Sequence, residues 1–263
     1  MESTCQNCNG SIAESYCSGC GQKKFKRIDR KYIWDEIQYT ILHTNKGFLY
    51  SLKNIIKNPG KTARGFIDGN RVNHYKPILL AFILSGISAF ISFKIVGLKE
   101  LTTAYYTAQH INSPFMNDTM SIVYGYNSFI MLLLVPFFAF FTKLAFSTWK
   151  HNYYEHVVMN AYILACYNLF NIAFIYPLML IFKNSVNIMI LSSLPMLVTP
   201  FILFWFFKEF YVEKPKGEVI GRIAVIIGLM IAAAIVFFIL VAVGAFVYAA
   251  IKGPEALKYL QAQ

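Results

Sequence analysis

Five apolar stretches constrain this chain more than any other feature, at 77–96, 121–142, 157–182, 186–207 and 223–251. Each is near or above the roughly 20 residues with which an α-helix crosses a bilayer. In hydrocarbon every backbone N–H and C=O must be satisfied within the structure, so stretches of this length are predicted to be helices. The expected fold class is therefore an all-α integral membrane protein organised as a five-span transmembrane helical bundle. Composition agrees: 57% of the 263 residues are hydrophobic and 14% are charged, where a soluble domain carries about 25%. Stretch 186–207 holds Pro195 and Pro200 and is expected to kink or break. Stretch 223–251 is longer than a bilayer requires and is expected to tilt or to project into water. Gly228 and Ala232 offer it a spacing for close helix contact.

The formal charge of +11 is compatible with a nucleic-acid partner, but its distribution argues for a membrane. Thirteen of the 24 Lys and Arg precede Pro77, whereas the connection from Gly97 to Val123 contains Lys99 alone. That bias is what positive-inside topology produces. It predicts a cytoplasmic N-terminus and, with five spans, a C-terminus outside. The first twenty residues are polar and lack an apolar h-region, so no signal peptide is expected.

Four divisions follow from the pattern: a head at 1–22, a basic linker and amphipathic helices at 23–76, the bundle at 77–251, and a tail at 252–263. In the second, Ile33, Trp34, Ile37 and Ile41 recur at helical spacing, as do Phe48, Leu52, Ile55 and Ile56. Asn58-Pro59 reads as an N-cap followed by proline at the first helical position, and Gly69 as a stop. A short helix over 59–67 results. Apolar faces with basic flanks suit helices at the headgroup level, the alternative being a subdomain packed on itself. Arg64 and Arg71 are the candidate contacts to anionic lipid headgroups or to a protein partner.

The head carries Cys5-Gln6-Asn7-Cys8 and Cys17-Ser18-Gly19-Cys20. Two Cys-x2-Cys turns close a tetrahedron round Zn²⁺ with sulfurs at ~2.3 Å, so Cys5, Cys8, Cys17 and Cys20 are the expected metal ligands of a zinc knuckle. A rubredoxin-like iron site is the rival metal. Disulfides are disfavoured in a reducing compartment, and a redox Cys-x-x-Cys would need a strand–helix context. Four thiolates leave no open coordination position, so the zinc is read as structural. A head of this size cannot bury a core unaided, and metal binding would supply its folding free energy.

Polar residues interrupt the third apolar stretch. His156, Asn160, Asn168 and Asn171 share a helical face, with Glu155 at its mouth and Leu164 interrupting the stripe. Amides in hydrocarbon need partners, so this face is expected to look into the bundle. Interhelical hydrogen bonding is the favoured reading and a polar pathway the sharper one. Ser85, Ser88 and Ser92 form a weaker stripe. His151 to His156 fits neither H-E-x-x-H nor H-x-x-E-H, and no nucleophile elbow or phosphate loop is present, so catalysis is not expected.

The head motif ending in Tyr16-Cys17-Ser18-Gly19-Cys20-Gly21-Gln22, after a first Cys-x2-Cys, resembles a bacterial membrane family catalogued as domain of unknown function 3667. Gly47-Phe48, Pro59-Gly60, Gly69-Asn70-Arg71, Tyr75 and Pro77 look like further motif positions, as does Tyr154-Glu155-His156. The resemblance implies the same layout, a zinc head before a multi-span bundle. Relatives would be expected to carry more histidines where Asn160 and Tyr162 stand here.

Together these features predict a protein of the bacterial cytoplasmic membrane that is non-enzymatic. Its head and basic helices would recruit a protein partner, a second copy of itself or anionic membrane lipid. The alternative is a transporter or channel for a small molecule, ion or lipid, using the third stretch. Nucleic acid is a weaker candidate, since Tyr16 and Phe25 are the head's main stacking aromatics.

Overall fold

A computed structural model of the chain describes residues 3–4, 8, 10–12, 16–20, 47–71, 74–109, 113–182 and 188–253. The basic linker at 23–31, the stretch from Ile33 to Ile41 and residues Lys183 and Asn184, which the sequence offers as a hairpin between the third and fourth apolar stretches, lie outside these residues, as do Cys5 and most of the tail. The chain divides into two units, Met1–Lys46 and Gly47–Gln263.

In the first unit, β1 (Ser3–Thr4) pairs antiparallel with β2 (Ser11–Ile12), in the register Ser3 to Ile12 and Thr4 to Ser11. Ile12 and Cys17 are buried together.

The second unit is helical. Two short helices, α1 (Gly47–Lys57) and α2 (Pro59–Ile67), precede the apolar segments. Asn58 caps α2 through its side-chain oxygen, which accepts from the Lys61 amide at 2.9 Å, with Pro59 at the first position. After Asp68 the chain leaves the helix at Gly69, whose φ of +112° suits a residue without Cβ.

Among the described residues, five helices are long and apolar enough to cross a membrane: Pro77–Val96, Asn127–Ala145, Tyr153–Ile181, Ile190–Phe210 and Lys216–Lys252. They are called α3, α6, α7, α8 and α9; α8 as a helix begins at Ile188. Between α3 and α6 lie α4 (Leu98–Ala108) and α5 (Pro114–Gly125). The second crossing helix therefore starts at Asn127, six residues after Ser121. Ser113 and Pro114 start a separate helix, and the chain breaks at Tyr126. A hydropathy profile joins α5 to α6 because Ile122 and Val123 are apolar.

α7 lies at the centre, packed against α1, α2, α3, α6 and α8. It is not uniformly α-helical. Asn171–Ile175 widens into a π-turn, just before Pro177, which has no N–H for the Ala173 carbonyl. The end of α3, Ile91–Val96, widens likewise. Val96 meets Ile175 and Met179 there in a small buried cluster. α8 continues as one helix through Pro195 and Pro200, so of the expected kink or break the break does not occur. α9 spans 37 residues, about 56 Å at 1.5 Å per residue, and its buried residues all lie near its start.

The main core joins α1 and α2 to the bundle. Ile55 and Ala63 are fully buried with Tyr162, Phe206, Phe207 and Phe210. The apolar face expected at the headgroup level is thus covered by α7 and α8. Leu49 and Ile56 remain exposed, at 71% and 64%.

Candidate functional site

Cys8, Cys17 and Cys20 place their sulfurs within 4.8 Å of one another, with Cys8 and Cys17 3.5 Å apart. Sulfurs held at ~2.3 Å round a tetrahedral ion stand about 3.8 Å apart, so this group could hold one metal ion. A disulfide would need about 2.05 Å. Gly10 and Gly19 border the sulfurs: a Cβ on Gly10 would lie 3.4 Å from the Cys8 sulfur, and one on Gly19 3.9 Å from both Cys8 and Cys17. Backbone N–H groups of Cys20 and Gly19 hold the Cys17 thiol below its ordinary pKa, which favours the thiolate a metal requires. Cys5, the fourth expected ligand, lies outside the described residues.

The Pro59-Gly60 block forms a clamp. α2 crosses α8 so closely that a Cβ on Gly60 would overlap the Phe206 carbonyl oxygen and stand 2.7 Å from the Phe210 nitrogen. Glycine is required here by proximity alone. The Asn58 side-chain nitrogen donates to Glu209 Oε2 at 2.8 Å. One turn on, Arg64 Nη1 donates to the Phe210 carbonyl at 3.0 Å and to Glu213 Oε2 at 2.5 Å. Arg64 thereby caps the C-terminus of α8, where a cation meets the negative end of the helix dipole. The hydrogen bond to Glu213 raises the Arg64 pKa and lowers that of Glu213. Glu209 and Glu213 were not singled out in the sequence, although acidic residues four apart at the end of an apolar stretch were a readable signal.

Arg71 is placed differently. It is exposed, donates from Nε to the Phe66 carbonyl at 3.2 Å and lies over the Phe66 ring at 5.6 Å. With Phe66, Asn152, Tyr154 and Glu155 it lines a surface cavity of about 300 Å³. The Gly69-Asn70-Arg71 and Tyr154-Glu155-His156 motifs therefore meet. Glu155 has a local task as well. Its carboxylate accepts from the Asn152 amide at 2.7 Å, while Asn152 Oδ1 accepts from the Glu155 amide at 3.0 Å, a capping box that starts α7.

The polar stripe of α7 separates into distinct contacts. His156 is fully buried, with Nδ1 3.1 Å from Thr142 Oγ1 on α6. Asn160 donates to the same oxygen at 2.8 Å and to the His156 carbonyl at 2.8 Å. Asn168 donates to Ser85 on α3 at 2.9 Å. Asn171 begins the π-turn and pairs with the Tyr167 hydroxyl. Ser88 pairs with Tyr176 at 2.7 Å. Of the three asparagines, Asn160 also lines a cavity of about 290 Å³ between α6, α7, α8 and α9. Thr142, at the end of the second apolar stretch, was not singled out in the sequence either, although a buried threonine facing a polar stripe is its natural acceptor. Gly228 touches nothing within 4 Å of where its Cβ would stand, so the close helix contact falls at Gly60 instead.

Residues 45–89 match the family model described as Protein of unknown function (DUF3667). The match covers Gly47-Phe48, Pro59-Gly60, Gly69-Asn70-Arg71, Tyr75 and Pro77, that is, α1, the clamp helix and the first two-thirds of α3. Neither the cysteine head nor Tyr154-Glu155-His156 falls within it. No curated protein matches the chain, and no solved structure does.

Proposed function

We propose that this protein is a non-enzymatic organiser of a bacterial cytoplasmic membrane. Its N-terminal side faces the cytosol, its C-terminus lies outside, and the membrane-end surface around Arg71 binds an anionic lipid headgroup or a protein partner. The observation that carries this reading is the cavity shared by Arg71 and the first turn of α7. Exposed Lys53, Lys57 and Lys61 stand on α1 and α2 in the same unit. Each exposed cation at an anionic leaflet adds about 1 kcal/mol of attraction. Among the described residues Arg71 is bonded through Nε alone, whereas Arg64 is held by Glu213 and the end of α8.

Within this proposal the head binds one Zn²⁺ through Cys5, Cys8, Cys17 and Cys20, as a structural ion that shapes a recruiting surface. The test is co-purification from native membranes with intact protein, with Cys17→Ser/Cys20→Ser, and with Arg71→Gln, measuring zinc, proteins and lipids together. Loss of zinc and of a specific partner from an inserted double mutant supports recruitment by the head. Loss of anionic lipid from Arg71→Gln supports the cavity. Unchanged profiles in both mutants would overturn the proposal.

A second reading, movement of a small molecule or lipid through the bundle, draws support from the intramembrane cavity beside Asn160. Cysteine substitution of Asn160, Asn168 and Asn171 in a Cys166→Ser background separates the two. Labelling by an impermeant thiol reagent at all three positions favours a pathway, and protection at all three counts against one.

A further inference from the structure

The cavity beside Asn160 has a composition that names its ligand. Four of the five candidate spans wall it, through residues such as Met131, Leu134, Leu164, Met196, Leu203 and Met230. Among the described residues, no charged side chain lines it. At about 290 Å³ it lies just under the roughly 300–1,000 Å³ range of ligand cavities, which suits one chain rather than two. Along α6 it runs from Thr142 to Met131, about 16 Å at 1.5 Å per residue. Met131, Met196 and Met230 come from three different helices and are adaptable wall material. Met196 is 80% exposed on α8, so the cavity opens sideways, to where lipid would lie.

Its polar groups are nearly all occupied. The Thr142 hydroxyl lies 3.1 Å from the Ala139 carbonyl and accepts from Asn160. The Thr199 hydroxyl donates to the Pro195 carbonyl at 2.9 Å, and Tyr167 pairs with Asn171. Asn160, only 6% exposed, has both hydrogens of its amide nitrogen committed, to Thr142 and to the His156 carbonyl. That fixes the side chain and leaves its Oδ1 as the acceptor it can offer to the cavity. An acceptor at the end of an uncharged apolar slot recognises a donor on a neutral chain. It gives no counter-charge to a phosphate or carboxylate.

We propose that this cavity binds a neutral single-chain lipid ending in a hydroxyl, with the hydroxyl donating to Asn160 Oδ1 and the chain running between α6 and α8 towards Met131. The site uses the same cavity as the transport reading but requires no movement across the membrane, and it is independent of the head and of Arg71.

The test uses the full chain in lipid nanodiscs with two photoactivatable probes, a medium-chain linear alcohol and the matching alkane. Labelled peptides are identified by mass spectrometry, with unlabelled alcohol as competitor. Saturable labelling is expected on peptides containing Met131–Phe138 and Met196–Leu203, with the alcohol preferred about five- to tenfold, the discrimination one hydrogen bond supplies. Asn160→Leu should reduce the alcohol to the level of the alkane, and Leu164→Trp should exclude both. Equal or non-saturable labelling by the two probes in the unmodified protein would overturn the proposal. Should Asn160→Leu fail to fold, the contrast in the unmodified protein decides alone. Impermeant-reagent access to Asn168→Cys and Asn171→Cys is read separately, so failure of the transport reading and failure of this site are distinguishable.

Discussion

At the scale of single residues, close approach and hydrogen-bond satisfaction decide what each position tolerates. Gly60 and Gly65 lie in the same helix, yet a Cβ on Gly60 collides with α8 while one on Gly65 meets nothing within 4 Å. Gly60→Ala is therefore expected to destabilise by about 1–3 kcal/mol through overpacking. Gly65→Ala should stabilise by about 0.5–1 kcal/mol, because alanine loses less backbone freedom in a helix. Thermal unfolding of the two variants in one detergent checks the pair, and equal shifts would contradict the clamp geometry. Thr142 Oγ1 accepts from Asn160 and lies 3.1 Å from His156 Nδ1. Thr142→Val should cost about 1–3 kcal/mol by leaving buried polar groups of Asn160 and His156 unmatched, although the residue volume barely changes. An unaltered melting temperature would show that these groups find other partners.

At the scale of elements, the junction of α2 with α8 is electrostatic as well as steric. Arg64 and Glu213 are partly exposed, so the pair fixes geometry more than it adds stability. Its pH dependence has a definite sign. Glu213 is depressed below the ordinary glutamate pKa, chiefly by the Arg64 hydrogen bond. A carboxyl with a lowered folded-state pKa binds fewer protons folded than unfolded. Its contribution is complete above the ordinary glutamate range and is lost as pH falls through the depressed value. Protease cleavage at Lys57 and Lys61 should accordingly rise on acidification in the unmodified protein. In Glu213→Gln it should be higher at neutral pH and flatter with pH. Cleavage independent of pH in both proteins would show that Gly60 packing alone holds α2. The fourth apolar segment thus meets the short helix α2 at its C-terminal end, which ties the matched block at 45–89 to α8.

At the scale of the whole molecule, the head and the helical unit are separate, and their stabilities should separate too. Chelation should expose the head to protease while leaving thermal unfolding of residues 47–263 unchanged. A shift of the main transition with metal removal would mean that the two are energetically coupled. Topology is testable in the same protein. The 98–125 region, α4 and α5, contains one basic residue, Lys99, and is expected outside. Gln109→Cys should react with an impermeant thiol reagent on intact cells, and Lys53→Cys should react only after lysis. The opposite pattern would invert the bundle.

What the sequence determined by itself is local or one-dimensional. Apolar length marked five helices long and apolar enough to cross a membrane, because a bilayer sets how many residues must be apolar in a row. Asn58-Pro59 and Gly69 marked the ends of α2, because caps and positive φ depend on a residue and its near neighbours. Two Cys-x2-Cys pairs marked a sulfur cluster, because two close turns can bring their thiols together, and Cys8, Cys17 and Cys20 are found together. The tertiary structure decided the partners. The sequence stripe of α7 showed that His156, Asn160 and Asn168 share a face but not which helix stands opposite each, and the answers differ: α6 for the first two, α3 for the third. Arg64 and Arg71 look alike in the chain, yet one meets the end of α8 and the other a cavity. The reason is physical. Periodicity assigns a direction round one helix axis, whereas a hydrogen-bond partner or a neighbour's distance depends on how separate axes cross, and that is fixed by packing between segments far apart in sequence.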